Sequence, residues 1–312
     1  MRKEVSSFFK VKNKRKKIIL AIILIIAFIV INGLCIYFRK SAGHYLSVIE
    51  KIIPYPAFFV GKEYITLDEY NSKIDLNKKL YELSYKMDFG NSEEGKKNLQ
   101  DLRKKTKEEI IETIIMENVL SSSGKYISKK DIKDEFDKGI KDIGSDKEIK
   151  NILKYSANLK ESDVQWKIQY NLLKDSIRDN VLYSLKLKII AVKTLDINNS
   201  QDWEVSKLKA EKIIEESNSN ANFFNNYFVL DNDKNDIIVQ NFGREYYTIE
   251  DLPKEFRNAF LSLMPGQISA PLKTDLGYYI LKDEGQKGSF RGSFSDFIQD
   301  QKNKTKVVSF IY

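Results

Sequence analysis

Residues 18–38 read IILAIILIIAFIVINGLCIYF, 21 positions without a charged side chain. No other stretch restricts the fold of this chain so sharply. At about 1.5 Å per residue a helix of that length is roughly 30 Å long, the hydrocarbon thickness of a bilayer, and in lipid a single span must satisfy its backbone groups as a helix. Asn32 is its one strongly polar residue, and Tyr37 lies at the end, where interfacial aromatics belong. A cleaved signal peptide would have a shorter apolar core, and no small-x-small pair follows before Arg39 and Lys40. Leu34 ahead of Cys35 also speaks against a lipidated cysteine. The stretch reads as a retained anchor that contacts the lipid bilayer.

Charge fixes its direction. Of 52 Lys/Arg and 44 Asp/Glu, residues 1–17 hold eight basic residues and one acid, leaving 44 against 43 for everything beyond. The basic tail places the N-terminus in the cytoplasm and the chain after about residue 39 outside a bacterial-type cell membrane. A body that is nearly neutral lacks the electrostatic footprint of a nucleic-acid partner, so none is expected. With one cysteine, Cys35, and one histidine, His44, the chain has no intramolecular disulfide, no His/Cys zinc set and no Ser-His-Asp or Cys-His nucleophile. Neither cofactor nor metal is expected.

Beyond the anchor, residues 39–56 read as a juxtamembrane linker broken by Pro54-Tyr55-Pro56. Residues 57–64 (AFFVGKEY) read as a short strand with Gly61 in a turn. Then comes a series of Ser/Thr-x-x-acid or -Gln signals, each ahead of an apolar periodicity: Thr66 with Glu69, Thr106 with Glu109, Ser128 with Asp131, Ser145 with Glu148 and Ser162 with Gln165. The first predicts a helix with Leu76, Leu80, Leu83 and Met87 as its core stripe. A helical domain over 57–185 follows, each helix amphipathic and in need of a partner face.

Residues 186–194 (KLKIIAVKT) have the β-branched content of a buried strand, and 203–216 (WEVSKLKAEKIIEE) read as an amphipathic helix with Leu208, Ile213 and Ile214 inward. In Leu252 to Lys282 (LPKEFRNAFLSLMPGQISAPLKTDLGYYILK), a short helix opening on Pro253 carries Phe256, Ala259, Phe260 and Leu263. A Met-Pro-Gly turn ends it, and strands at Ile268 to Lys273 and Tyr278 to Lys282 follow. Residues 285–312 form a C-terminal linker with a helix at 293–302 and a candidate strand, VVSFIY.

The order helix, Pro-Gly turn, strand, turn with Gly, aromatic-rich strand resembles the C-terminal half of a parvulin-type (PpiC-like) peptidyl-prolyl isomerase domain. YPAFFVGKEYITLDEYNSKI together with NLKESDVQWKIQYNLLKDSIRDNVL resembles the N-terminal helical region of extracytoplasmic foldases of the SurA/PrsA class. The resemblance implies an α+β chain: a transmembrane helix, a helical SurA-N/PrsA-like chaperone domain, and a parvulin-like domain over 186–284 with a small antiparallel sheet. It implies a membrane-anchored foldase whose partners are unfolded or partly folded secreted or envelope polypeptides. The family's proline pocket maps to Leu252 and Phe256, with Tyr247 and Tyr279 as further candidates. Its two facing histidines map to Ile189 and Tyr279, and its acidic or thiol position falls near Asp231 or Asp233. With both histidines replaced, no catalytic residue is assigned and the module is expected to bind with reduced or no isomerase activity. An active isomerase using the Tyr279 phenol is one alternative and a non-catalytic envelope scaffold another. Core packing competes with a pocket role for Leu252 and Phe256.

Overall fold

The signal at Thr66 shows how local chemistry sets the elements. Its Oγ1 accepts the Glu69 backbone N–H at 3.1 Å, satisfying one of the donors that a helix start leaves over, and the helix begins at Leu67. The computed structural model describes residues 23, 26–31, 33, 52–143, 161–220, 222–228, 236–240 and 244–311. In chain order its elements are β1 (Pro56–Val60), β2 (Glu63–Thr66), α1 (Leu67–Tyr85), α2 (Glu93–Ser122), α3 (Lys129–Ile143), α4 (Glu161–Asn180), β3 (Ser184–Lys193), α5 (Ser200–Ser219), α6 (Phe223–Asn226), β4 (Ile237–Gln240) and β5 (Tyr247–Thr248). After a 3-10 turn (Lys254–Phe256) come α7 (Arg257–Ser262), β6 (Leu272–Thr274), β7 (Gly277–Lys287), α8 (Phe294–Lys304) and β8 (Val307–Ser309). The chain is thus mixed helix and sheet, as expected.

It divides into two compact units, one comprising residues 1–118, 127–170 and 302–312, the other 119–126 and 171–301. The first is helical around a three-stranded sheet of order β2-β1-β8. β8 pairs antiparallel with β1, Phe58 opposite Ser309 and Val60 opposite Val307, so of the candidate strand VVSFIY the first three residues form a strand that returns to the helical unit. On α1 the buried face is Leu67, Tyr70, Ile74, Leu76 and Asn77, while Leu83 of the expected stripe is exposed. Two of these are polar and are buried because they are bonded. The Tyr70 hydroxyl donates to the Arg103 carbonyl at 3.1 Å, and the Asn77 amide donates to Thr106 Oγ1 at 2.9 Å and to Glu109 at 3.1 Å.

Thr106 itself is not a cap. It sits mid-way along α2, where its hydroxyl donates to the Leu102 carbonyl, and the helix starts thirteen residues earlier, with Ser92 Oγ accepting the Gly95 N–H at 2.9 Å. Ser128 and Asp131 do form a reciprocal box at the start of α3. The signal at Ser145 lies outside the described residues, and α4 already runs at Glu161, so Ser162 lies within it. α4 is tied to α2 by Lys167 on Glu109 at 2.6 Å and by the Tyr170 hydroxyl, which donates to Glu112 at 2.7 Å. Burial and that carboxylate hold the phenol protonated well above its ordinary range.

Of the apolar stretch 18–38, residues 23, 26–31 and 33 are described and helical, and the side chains of Ile23, Ile26, Phe28, Val30 and Ile31 are exposed. The Tyr55 hydroxyl donates to the Ile29 carbonyl at 2.8 Å. The rest of the stretch lies outside the described residues, and among those described no helix is long and apolar enough to cross a membrane.

The second unit is a twisted antiparallel sheet of order β4-β3-β7-β6, with β5 also on β3. Strand alternation sends Leu185, Leu187 and Ile189 to one face and Ile190 and Val192 to the other. The second face packs on Ala210 and Ile213 of α5 and on Phe224 of α6. Leu208, expected inward, is exposed. The first face packs on the 3-10 turn and α7 through Phe256, Phe260 and Leu263.

Candidate functional site

The face under α7 carries Ile189, Tyr247, Leu252, Phe256 and Tyr279. β3 and β7 pair with Ile189 opposite Leu281 and Ala191 opposite Tyr279. Opposed residues share a face, and so do residues two apart, so Ile189 and Tyr279 are diagonal neighbours, about 7 Å apart by strand geometry. Leu252, Phe256 and Tyr247 pack on the same cluster. The Phe256 and Tyr279 ring centroids are 5.1 Å apart with the rings inclined at 51°.

The structure therefore brings the five positions together, in a particular state. Ile189 and Phe256 are 0% exposed, Tyr247 2% and Leu252 6%, whereas Tyr279 is only partly buried. These side chains fill the space between sheet and helix. The apolar half of a proline grip is present in composition, and the polar half is reduced to phenols, since Ile189 offers no donor or acceptor. Rotation about an X-Pro bond crosses a barrier of about 18–20 kcal/mol, and a site lowers it only through groups that favour the twisted imide over the planar one. Asp231 and Asp233 lie outside the described residues.

How Leu252 is held follows from the residue before it. Asp251 accepts the Thr248 N–H at 2.8 Å and the Thr248 hydroxyl at 2.9 Å, and it pairs with Arg178 of α4. Burial alone would raise the carboxyl's pKa, but the Arg178 and Thr248 bonds outweigh it and hold the group below its ordinary range. This turn fixes the angle at which the chain leaves β5 and presents Leu252 and Phe256 to the sheet.

One feature of this face escaped the sequence reading. Asp283 is fully buried, on the same strand face as Tyr279 and Leu281. Its Oδ1 accepts the Gly285 N–H at 2.8 Å and its Oδ2 the Gln286 amide at 2.6 Å, and Gln286 also donates to the Leu263 carbonyl. Its backbone carbonyl accepts from Gly266 N–H in the Pro-Gly turn. The signal was available: a carboxylate at an inward position of a period-two strand. Nearby Tyr183 is buried with a hydroxyl that has no hydrogen-bond partner among the described residues. Burial raises its pKa, against Arg291, whose guanidinium lies 4.5 Å from the ring centre. Among the described residues no group of His, Cys, Asp and Glu is arranged to hold a metal ion.

Residues 190–285 match the family model of the rotamase, the PPIC-type PPIASE domain. This stretch runs from within β3 to within β7, so it takes in the sheet and the helices on both its faces. Among solved structures, the chain is similar to the peptidylprolyl isomerase PrsA of Bacillus cereus, at 17% identity and a TM-score of 0.26, over 77% of this chain and 80% of that one. For PrsA of Bacillus anthracis the values are 22%, 0.23, 63% and 85%. For one of two structurally related SurA-like chaperones of Campylobacter jejuni they are 12%, 0.25, 81% and 98%. No curated protein matches the chain.

Proposed function

We propose that this chain, with its PPIC-type domain over residues 190–285, is a membrane-tethered extracytoplasmic foldase that holds non-native secreted or envelope polypeptides. In this reading the PPIC-type module serves as a binding element with reduced or no isomerase activity. The observation that carries it is the chemistry at the two histidine positions of the parvulin resemblance. One holds Ile189, fully buried in apolar core, and the other holds Tyr279 packed on Phe256. A catalyst that acts by favouring the twisted imide has lost its imidazole pair there, and of the five residues only Tyr279 is open enough to meet a prolyl segment, the others being buried between sheet and helix. The partial exposure of Tyr279 favours a second reading, an active isomerase in which its phenol donates to the imide.

Tethering is supported by the charge-free run 18–38 behind its basic tail and by the exposed apolar side chains of its described helical residues. Alkaline extraction of membranes tests this part: the chain stays with lipid, deletion of residues 18–38 releases it, and release of the intact chain contradicts the tether. Holding is tested with the full chain in detergent micelles added to an unfolding client. Suppression of light scattering at stoichiometric amounts is expected, and unchanged aggregation refutes the foldase.

A further inference from the structure

A cavity of about 640 Å³ opens in the helical unit among α1, the start of α3 and the first turns of α4. That volume lies within the range of ordinary ligand sites. Ile127, Ile132 and Trp166 give it apolar walls, Lys73, Lys129 and Lys133 stand around them, and no carboxylate is among the described residues that line it. Trp166 is nearly buried, and the Nζ atoms of Lys73 and Lys167 stand 4.6 and 4.7 Å from its ring centre. Lys167 is matched by Glu109. Lys133 reaches Asp137 at 2.8 Å, but both partners are exposed and such a pair is worth little. Lys129 has no carboxylate partner among the described residues. Asp131, at the head of the same helix, is engaged by Ser128.

We propose that this cavity is a docking site for an extended client segment in which an apolar side chain is flanked by Asp or Glu. The proposal rests on the foldase reading and adds to it a place and a sequence preference. An apolar recess alone would accept any exposed hydrophobic segment. Lys73 has Glu69 near it, so the surplus of positive charge rests chiefly on Lys129 and on the absence of a carboxylate among the described lining residues; it attracts an acidic flank and repels a basic one, which is discrimination by charge complementarity. Screening weakens that attraction as salt rises.

The chain has two tryptophans, so Trp203→Phe leaves Trp166 as the sole indole reporter. The full chain in detergent micelles is titrated with a Ser-Asp-Leu-Phe-Glu-Ser peptide and with its counterpart carrying Lys at both acidic places. The acidic peptide gives a saturable change in Trp166 emission, and the basic one binds at least about tenfold more weakly. Lys129→Glu with Lys133→Glu raises the Kd of the acidic peptide about tenfold and narrows or inverts the preference. The milder Lys129→Gln with Lys133→Gln gives a smaller loss in the same direction, should charge reversal disturb folding. Equal affinity for the two peptides overturns the proposal. So does an unchanged Kd in both double variants, and so does saturation of the signal by inorganic phosphate or phosphatidylglycerol vesicles with the acidic peptide inert. Client aggregation is measured on the same protein. Suppression without charge preference at Trp166 refutes this site and leaves the foldase standing, whereas charge preference without suppression supports the site and refutes the foldase.

Discussion

Phe256 decides whether the face under α7 is core or groove. It is fully buried against a cluster that includes Leu185, Ile189, Leu252 and Leu281, with Tyr279 beside its ring. An aromatic side chain buries about 150–250 Å², and at about 25 cal/mol per Å² truncation to alanine loses on the order of 3 kcal/mol of transfer free energy after alanine's own share. The ring pair with Tyr279 and the cavity left behind bring Phe256→Ala to about 3–5 kcal/mol. That is a large part of the roughly 5–15 kcal/mol that holds a domain together, so Phe256→Leu, expected at about 1–2 kcal/mol, is the companion variant. Trp203 reports on this unit, since its ring packs edge-on to Tyr278 at 5.8 Å. Urea unfolding of the full chain is followed at that indole, with Trp166→Phe removing the other. A loss below about 1 kcal/mol for Phe256→Ala at an unchanged m value means the ring faced water in an open groove, and refutes the packing argument.

Three further outcomes follow from named contacts. Gly288 has φ +71° and a Cβ there would lie 2.0 Å from the Leu182 carbonyl oxygen, whereas Gly124, at φ +74°, has nothing within 4 Å. Gly288→Ala is therefore expected to cost more than about 2 kcal/mol in urea unfolding and Gly124→Ala about 1 kcal/mol, and equal losses would show that the backbone at Gly288 yields. Because the folded pKa of Asp251 is depressed, its stabilisation is present above the unfolded value of about 3.9 and is lost as pH falls through the lower folded value. The urea-midpoint gap between the natural chain and Arg178→Ala is thus expected to be full at pH 6 and to shrink below about pH 4, and a gap independent of pH contradicts the pair. Deleting residues 306–312 removes the Lys306 carbonyl that accepts Gly61 N–H and the pairing of β8 with β1. Faster amide exchange at Gly61, with Ile189 and Ile190 unchanged, is expected, and unaltered protection at Gly61 refutes the role given to β8.

Where local chemistry acts alone, the fold was legible. Thr66 and Ser128 cap the helices their spacing indicates, β3 occupies the β-branched run, and Phe256, Phe260 and Leu263 bury the face their spacing defines. The misreadings share one cause, polar or small residues buried because of partners far along the chain. Thr106 looks like a cap and is an interior residue bonded to Asn77, 29 positions away. Tyr70 and Asn77 displaced Leu83 from the core of α1, and Ala210 rather than Leu208 faces the sheet, because close helix-to-strand approach favours a small side chain there. The pairing of β8 with β1 joins segments about 250 residues apart, for which no short-range pattern exists. At the site, the parvulin resemblance marked the missing histidines and the apolar grip. The burial of Ile189 and the placement of Asp283 required the β3–β7 register.

Proline-limited refolding of a model client, whose slow phase lasts tens of seconds, tests the central claim most directly. With the full chain in micelles at concentrations that suppress aggregation, the slow-phase rate is expected to equal that of the client alone. Acceleration of that phase by the natural chain, lost in Tyr279→Phe, would contradict a binding module and establish Tyr279 as a catalytic donor.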